Sequence, residues 1–546
     1  MNFRFFSTMI CAFFCLSLSA QDSPDNWFNL DKDMDGTLGV STEKVYNTLL
    51  KGKSSETVIV AVIDSGVDYK HEDLKDVMWV NTGETPGNGI DDDGNGYIDD
   101  IHGWNFIGGA NGENVGADTY ELTRLYGKYK KQFEGRDAAS FKGKEKEEFT
   151  KYLKYKEEVE GKQAELKQQS ASEFMINESL KTLKKEIGKE DITAKDIGAI
   201  ETENAEVLGA VGIIQSVIDR GASVADIEKE IGGAVSYFEN ALEYAYNPDF
   251  DSRKIVGDDY SNSKERYYGN SDCKGPDSSH GTHVSGIIAA VRNNDTGMKG
   301  VADNVRIMSI RAVPDGDERD KDVANAIFYA VDNGATIINM SFGKGYSWDK
   351  GIVDEAVRYA EKHDVLLVHA AGNSGQNNDV TGNFPTDEFG KKKLFGPKNS
   401  RVWLEVGALN YKDGKDLPAT FSNYGKANVD VFAPGVQIYS TTPEQNYAKF
   451  SGTSMASPVT AGVAAILRSY FPSLSARQVK DIIMKSASPI NQQVKKPGSK
   501  DEINFSQLSV TGGVINAHKA VSIASGTKGK RKMNRVKSAA KKVVLP

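Results

Sequence analysis

Three residues carry the chemistry this sequence could perform. Asp64 stands in Asp64-Ser65-Gly66-Val67-Asp68, His280 in His280-Gly281-Thr282-His283-Val284-Ser285-Gly286, and Ser454 in Gly452-Thr453-Ser454-Met455-Ala456-Ser457-Pro458. A serine hydroxyl is a weak nucleophile until a neighbouring base takes its proton. Histidine titrates near neutrality, so it can accept that proton and return it to a leaving amine. A buried carboxylate fixes the imidazole tautomer and stabilises the imidazolium. Taken singly, Asp64 would read as a turn cap and Ser454 as a helix cap; together the three could run acyl transfer. His280 and His283 could also suggest a metal pair, but the acidic residue of a zinc-peptidase helix motif does not accompany them.

Such residues need elements to hold them. Thr57–Ile63 is a continuous β-branched run, as expected of a strand buried on both faces of a parallel sheet. Similar runs occur at Val305–Ile310, Ala335–Met340, Val365–Val368, Val402–Val406 and Val429–Phe432. Helical patterns at Val323–Asn333 and Ile352–His363 lie between some of them. The alternation predicts an α/β fold with helices covering a mostly parallel sheet, and functional groups just beyond the carboxyl ends of its strands. Asp64 follows one such strand. Ser454 precedes the expected helix Val459–Leu467, with Pro458 in its first turn, where a missing N–H costs least.

These motifs resemble those of the subtilases, the subtilisin-like serine peptidases. Gly300-Val301-Ala302-Asp303, Val331-Asp332-Asn333-Gly334, Ile338-Asn339-Met340-Ser341, Phe421-Ser422-Asn423-Tyr424-Gly425 and Ala433-Pro434-Gly435 are also similar to the family. The resemblance covers about 56–113 and 249–525. It implies a three-layer subtilisin-like α/β fold and a secreted serine endopeptidase with Asp64, His280 and Ser454 as its triad. It further implies that Asn373, in Ala370-Ala371-Gly372-Asn373, donates to the oxyanion together with the Ser454 N–H. Ser341, Phe342 and Gly343 would pair with an extended substrate, and Ala370, Ala371 and Gly372 would line the pocket beside the scissile bond. A catalytically silent peptide-binding protein on the same fold is the alternative.

Gly89-Ile90-Asp91-Asp92-Asp93-Gly94-Asn95-Gly96-Tyr97-Ile98-Asp99-Asp100 spaces oxygen donors as calcium loops do. Asp91, Asp93 and Asn95, with the Tyr97 carbonyl and Asp99 or Asp100, form the expected ligand set for a structural calcium ion. His102 stands where an EF-hand would place its glutamate. Asp31, Asp33 and Asp35 repeat the spacing in weaker form. The family resemblance adds Asp73 and the Asn293–Gly297 loop as a further calcium site. No cofactor is expected for catalysis itself.

Two features depart from the family. The stretch 21–63 is too short for the folded inhibitory propeptide that many subtilases carry. Segment 114–248 falls between the Asp and His motifs, contains no proline before Pro248 at its end and reads as a helical insertion. Lys142–Gln168 holds eight Lys and seven Glu, with Phe149, Tyr152, Leu153, Tyr155 and Val159 at three- and four-residue steps. Asp196–Arg220 and Val224–Tyr246 read as further helices, packed as an intramolecular hairpin rather than a coiled-coil surface. The expectation is that the insertion restricts the cleft or recruits a partner.

Composition sets the bounds. The 546 residues, 39% of them hydrophobic, carry a formal charge of −9, which argues against a global nucleic-acid binder. Residues 1–20 read as a cleaved signal peptide, with Arg4, an apolar stretch Phe5–Leu18 and Ser17-Leu18-Ser19-Ala20 before Gln21. No other segment is apolar for long enough to span a membrane, so a secreted, periplasmic or cell-surface location follows. Once the signal is removed, Cys273 is the sole cysteine, leaving no internal disulfide. The expected division is signal 1–20, lead 21–55, peptidase domain 56–525 interrupted by 114–248, and basic tail 526–546. From Lys528 the tail carries eight Lys or Arg and no acid, read as a disordered solvated end or, secondarily, an adhesive for an anionic cell surface.

Overall fold

The structure, a computed structural model, describes residues 23–390 and 396–531. The signal segment and most of the basic tail lie outside the described residues. In the lead are two short helices, α1 (Lys32–Asp35) and α2 (Thr42–Asn47). Strands β1 (Val58–Asp64) and β2 (Gly103–Asn105) follow. The insertion holds α3 (Glu121–Phe133), α4 (Gly143–Ile187), α5 (Ala194–Gly198), α6 (Ala205–Ile218) and α7 (Val224–Asn240). After α8 (Arg253–Val256) come α9 (Ser279–Ala289), β3 (Val305–Arg311), α10 (Asp320–Asp332), β4 (Ile337–Met340) and α11 (Lys350–Lys362). Strands β5 (Leu366–Ala370), β6 (Trp403–Leu409) and β7 (Val431–Pro434) precede the hairpin β8 (Ile438–Thr442) and β9 (Asn446–Phe450). The chain then forms α12 (Thr453–Tyr470), α13 (Ala476–Ser486), β10 (Ser488–Pro489), β11 (Gln493–Lys495), β12 (Glu502–Asn504), β13 (Gly513–Val514) and α14 (Ala517–Ser525).

Nine strands make the central sheet in the order β10-β13-β7-β6-β5-β4-β1-β3-β2. All neighbours are parallel except β10 and β13. Every residue of β5 and β6 is buried, and β1 is buried at all but one position. Helices on both faces demand this, and it is why the apolar runs are continuous rather than alternating. The carboxyl ends of β1, β4 and β5 open at one edge of the sheet. There Asp64 ends β1, Ser341 follows β4 and Ala370 ends β5.

The lead is part of this body rather than a separate segment. Trp27 and Phe28 are fully buried in the main apolar core. Val40 C=O accepts the Ala517 N–H at 2.7 Å, docking the lead on α14. The folded unit therefore begins before residue 56.

The insertion is strung on α4, whose 45 residues reach about 68 Å at 1.5 Å per residue. One end packs aromatic side chains (Tyr126, Phe133, Phe141 and Tyr152, with Val159). The other buries Leu180 and Leu183 against Ile197, Ile214 and Ile227 of α5, α6 and α7. Leu153 departs from the expected apolar stripe and is 48% exposed. The expected helix Asp196–Arg220 breaks after Gly198, because Asn204 caps a new helix by accepting the Glu206 N–H at 2.9 Å.

Candidate active site

Asp64 reaches its place because β1 is buried and pinned between β3 and β4. Its carboxylate is 2% exposed. Oδ1 accepts from Ser65 N–H at 2.8 Å and lies 2.7 Å from His280 Nδ1. This contact requires α9 to approach the 64–66 loop closely. A Cβ on Gly281 would lie 2.1 Å from the Gly66 carbonyl oxygen, so only glycine fits after His280. The rest of the motif serves the frame: Thr282 Oγ1 accepts the Asp68 N–H at 2.8 Å, and Ser285 Oγ donates to Gly281 C=O at 2.7 Å.

Burial disfavours a charged His280, but the Asp64 carboxylate outweighs it and holds the imidazole pKa above the ordinary histidine value. The ring remains 39% exposed, which leaves an edge open to a substrate. His283 is a different case. It is fully buried, its Nε2 lies 3.0 and 3.1 Å from the Ile438 and Ala448 carbonyls, and burial pushes its pKa down to about 3. That neutral ring is a structural donor tying α9 to the β8–β9 hairpin, and it forms no metal pair with His280.

Ser454 is the second residue of α12, which starts earlier than the sequence suggests. Pro458 accordingly lies in the second turn, not the first. The proline cannot donate to the Ser454 carbonyl four residues back. Ser341 Oγ donates to that carbonyl instead, at 2.9 Å. In return Ser454 Oγ donates to the Ser341 C=O at 3.1 Å. The nucleophile candidate and the strand candidate thus hold each other by two reciprocal bonds.

Asn373 presents its amide to the same place. Its Oδ1 accepts from Thr453 N–H at 2.9 Å and from Thr453 Oγ1 at 3.0 Å, which orients Nδ2 toward the cleft. The Cβ direction of Gly452 points to a spot 3.5 Å from both Asn373 Nδ2 and Ser454 N, so two donors flank one small volume. A cavity of about 310 Å³ opens there, lined by Phe342, Gly343, Ala370, Gly372, Asn373 and Ser454 among others. Beyond Ser341 lies a second cavity of about 530 Å³, bordered by Asp64, His280, Gly116 and Ala117. Ala371, by contrast, is fully buried and packs below the cleft.

Asn339, Thr453 and Asn383 escape a reading of the sequence. Asn339 Nδ2 donates to Ser341 Oγ at 2.9 Å, and its Oδ1 accepts from Ser457 Oγ at 2.8 Å, joining β4 to α12. Asn383 Nδ2 donates to the Ala370 C=O at 3.0 Å. Its Oδ1 would meet a Cβ on Gly343 at 2.5 Å and one on Gly372 at 3.4 Å, so its amide fills the gap between the two walls. Asn339 and Thr453 sit inside quoted motifs and could have been found there. Asn383 arrives by a loop that folds back, which no local pattern marks.

The acidic loop assembles differently from its spacing. Glu84, Asp93 and Asp100 place carboxylate oxygens within 4.8 Å of one another. Burial raises the Asp100 pKa to about 7, with Asp93 adding to the effect. Asp99 is turned away and accepts the backbone N–H groups of Gly87, Asn88 and Gly89. Asp91 accepts from Asn95 and Gly96 N–H, and Asn95 Oδ1 from Tyr97 N–H. Asp31 caps α1 and pairs with Lys44 at 3.1 Å. Asp73 accepts from Asn294 Nδ2 at 2.6 Å. Cys273 is buried, which pushes its thiol up to about 12 and keeps it protonated.

A family model described as the subtilase family matches residues 55–511. A thermophilic serine proteinase of Bacillus sp. (strain AK1) is 39% identical over 239 residues, which is 44% of this chain and 52% of that one. Thermitase of Thermoactinomyces vulgaris is 33% identical over 298 residues, covering 54% of this chain and 91% of thermitase. The match thus spans about half the length of the first relative and most of the second. A solved protease from Pseudoalteromonas arctica PAMC 21717 is 26% identical, with a TM-score of 0.37 over 47% of this chain and 78% of that chain.

Proposed function

This chain belongs to the subtilase family of serine peptidases, and on that premise we propose that it cleaves proteins internally through Asp64, His280 and Ser454. The observation that carries this reading is the 2.7 Å contact of His280 Nδ1 with the buried Asp64 carboxylate. A carboxylate acceptor fixes the proton on Nδ1 and leaves Nε2 as the base. When a substrate carbonyl enters, Ser454 Oγ exchanges the Ser341 carbonyl for His280 and attacks; such bonds commonly tighten only in the complex. The oxyanion takes Asn373 Nδ2 and the Ser454 N–H. His280 then protonates the leaving amine, and water hydrolyses the acyl-enzyme by the same route.

Substrate lies along Ser341–Gly343 as an added strand. Its side chain before the scissile bond enters between Gly343 on one side and Ala370 and Gly372 on the other, with Asn383 closing the depth. Secretion through the signal segment 1–20 completes the reading. A relative named "cell wall-associated protease", from Bacillus subtilis, is in keeping with it. No described helix is long and apolar enough to cross a membrane.

A structural calcium ion fits the donor chemistry of the acidic loop, since hard cations prefer carboxylate oxygens. Glu84, Asp93 and Asp100 would hold it, in place of the set Asp91, Asp93, Asn95 and Asp99 that spacing alone suggests. The ion would favour the ionised Asp100 carboxylate against the burial that now raises its pKa.

Ser454→Ala decides the reading. Peptide hydrolysis should fall to background while the melting temperature stays within a degree or two, and a fluorophosphonate should label the unmodified protein only. A silent peptide-binding protein would take no label in either form.

A further inference from the structure

Ser341–Gly343 runs directly into Lys344-Gly345-Tyr346-Ser347-Trp348, and the helical insertion grips that segment at three points. Glu121, the first residue of α3, accepts from Lys344 Nζ at 3.1 Å and from the Trp348 N–H at 2.7 Å through one carboxylate oxygen. Glu158 on α4 accepts the Tyr346 hydroxyl at 2.7 Å, while the Tyr155 ring meets the Tyr346 ring edge-on at 5.3 Å. Lys128 on α3 places its ammonium 4.1 Å above the Trp348 ring.

The first grip is buried. Lys344 and Glu121 side chains are 1% and 0% exposed. Asp320 at 2.8 Å and the Glu318 carbonyl at 2.6 Å complete the shell of the ammonium. A buried ammonium has no water to turn to, so its acceptors dictate where it lies. Lys344 also exchanges both backbone bonds with Phe384, at 3.0 and 2.8 Å, next to Asn383 in the pocket wall. Moving Lys344 therefore moves the strand before it and the wall beside it.

We propose that the insertion positions the substrate strand: Glu121 and Glu158 hold Lys344 and Tyr346, and through them fix Ser341–Gly343 for extended peptides. The inference rests on the peptidase reading of that strand. It makes Glu121 and Tyr346 positioning residues, remote from the reacting atoms. A substrate too short to lie along the strand is indifferent to them, and a peptide that fills it is not.

The test compares a six-residue peptide anilide with a single-residue ester. Glu121→Gln keeps an acceptor for Trp348 but removes one of the two carboxylate charges facing Lys344, leaving Asp320. It should raise KM for the peptide roughly tenfold, in line with loss of one charge-assisted bond, and leave peptide kcat and ester hydrolysis within about twofold. Glu121→Gln combined with Lys344→Met removes both buried charges and should recover part of the loss. Tyr346→Phe removes only the hydroxyl of a half-buried contact, and should move peptide KM the same way by a smaller factor. An unchanged peptide KM in Tyr346→Phe and in folded Glu121→Gln overturns the proposal, and so does an equal loss on ester and peptide. If Glu121→Gln does not fold, Tyr346→Phe alone decides. Failure of the unmodified protein to cleave the ester or take a fluorophosphonate would instead overturn the peptidase reading, and this inference with it.

Discussion

The catalytic body and the insertion are packed by different rules. In the body, the main apolar cluster runs from Trp27 in the lead to Ala524 in α14 across most of the sheet, and a second one packs Phe432 of β7 with Val514 of β13. In the insertion, α4 links an aromatic cluster at one end to an aliphatic cluster at the other. The glycines show the contrast most directly. A Cβ on Gly281 would lie 2.1 Å from the Gly66 carbonyl, and one on Gly462 2.5 Å from Val301. At Gly161, Gly209, Gly212, Gly232 and Gly233, all in insertion helices, it would meet nothing within 4 Å. The body places side chains by backbone contact; the insertion needs only enough burial to hold its helices together. Where they meet, the joint is polar: Arg319 pairs with Asp118 at 2.7 Å, and Lys344 with Glu121 at 3.1 Å.

The strongest test of that contrast lies at the tight end. Asp64→Asn should lower kcat about 10⁴-fold, because the imidazole loses its fixed tautomer. The same variant tests the pH profile. A base held above its ordinary pKa is silent while protonated, so kcat/KM should rise as pH passes through the raised His280 value, and the rise should move to lower pH in Asp64→Asn. For stability the sign is opposite: the contribution of His280 is fully present below the unfolded histidine value and is lost as pH rises through the folded one.

Asn373→Ala removes one oxyanion donor and should cost about 10²–10³ in kcat, with KM little changed. Leu366→Ala in β5, a fully buried site, should cost about 2–5 kcal/mol of stability in thermal unfolding. At the loose end, Gly212→Ala in α6 should raise stability by up to about 1 kcal/mol, since alanine favours helix and nothing obstructs its methyl. Destabilisation by Gly212→Ala would show that the insertion is as tightly fitted as the body, and the contrast would fail.

The tight region was also the readable one. β1 was expected at Thr57–Ile63 and lies at Val58–Asp64, because two covered faces force an unbroken apolar run. Asp64, His280 and Ser454 stand out as candidates because each sits in a motif that backbone packing constrains. The sequence places the start of α12 at Val459 and the helix begins at Thr453, since Ser341 compensates for Pro458 from a distant part of the chain. The acidic loop was legible as a group of carboxylates but not in its partners. Asp99 has three nearby N–H groups to satisfy, and Glu84 enters from outside the repeat. In the insertion, caps such as Asn204 and Ser223 set the helix ends, and hydrophobic spacing alone passed over the break between α5 and α6.

The reciprocal bonds of Ser341 and Ser454 have a consequence in time. At rest the serine hydroxyl occupies an acceptor on the strand proposed to receive the peptide. In the proposed cycle Ser454 gives up that carbonyl when it turns to His280, and the ester then formed at Ser454 has no proton to return to it. The opposite bond, from Ser341 Oγ to the Ser454 carbonyl, persists. In that cycle the proposed docking edge is therefore one acceptor richer from substrate entry to the end of deacylation than at rest, so the resting molecule differs from the working one at the edge itself.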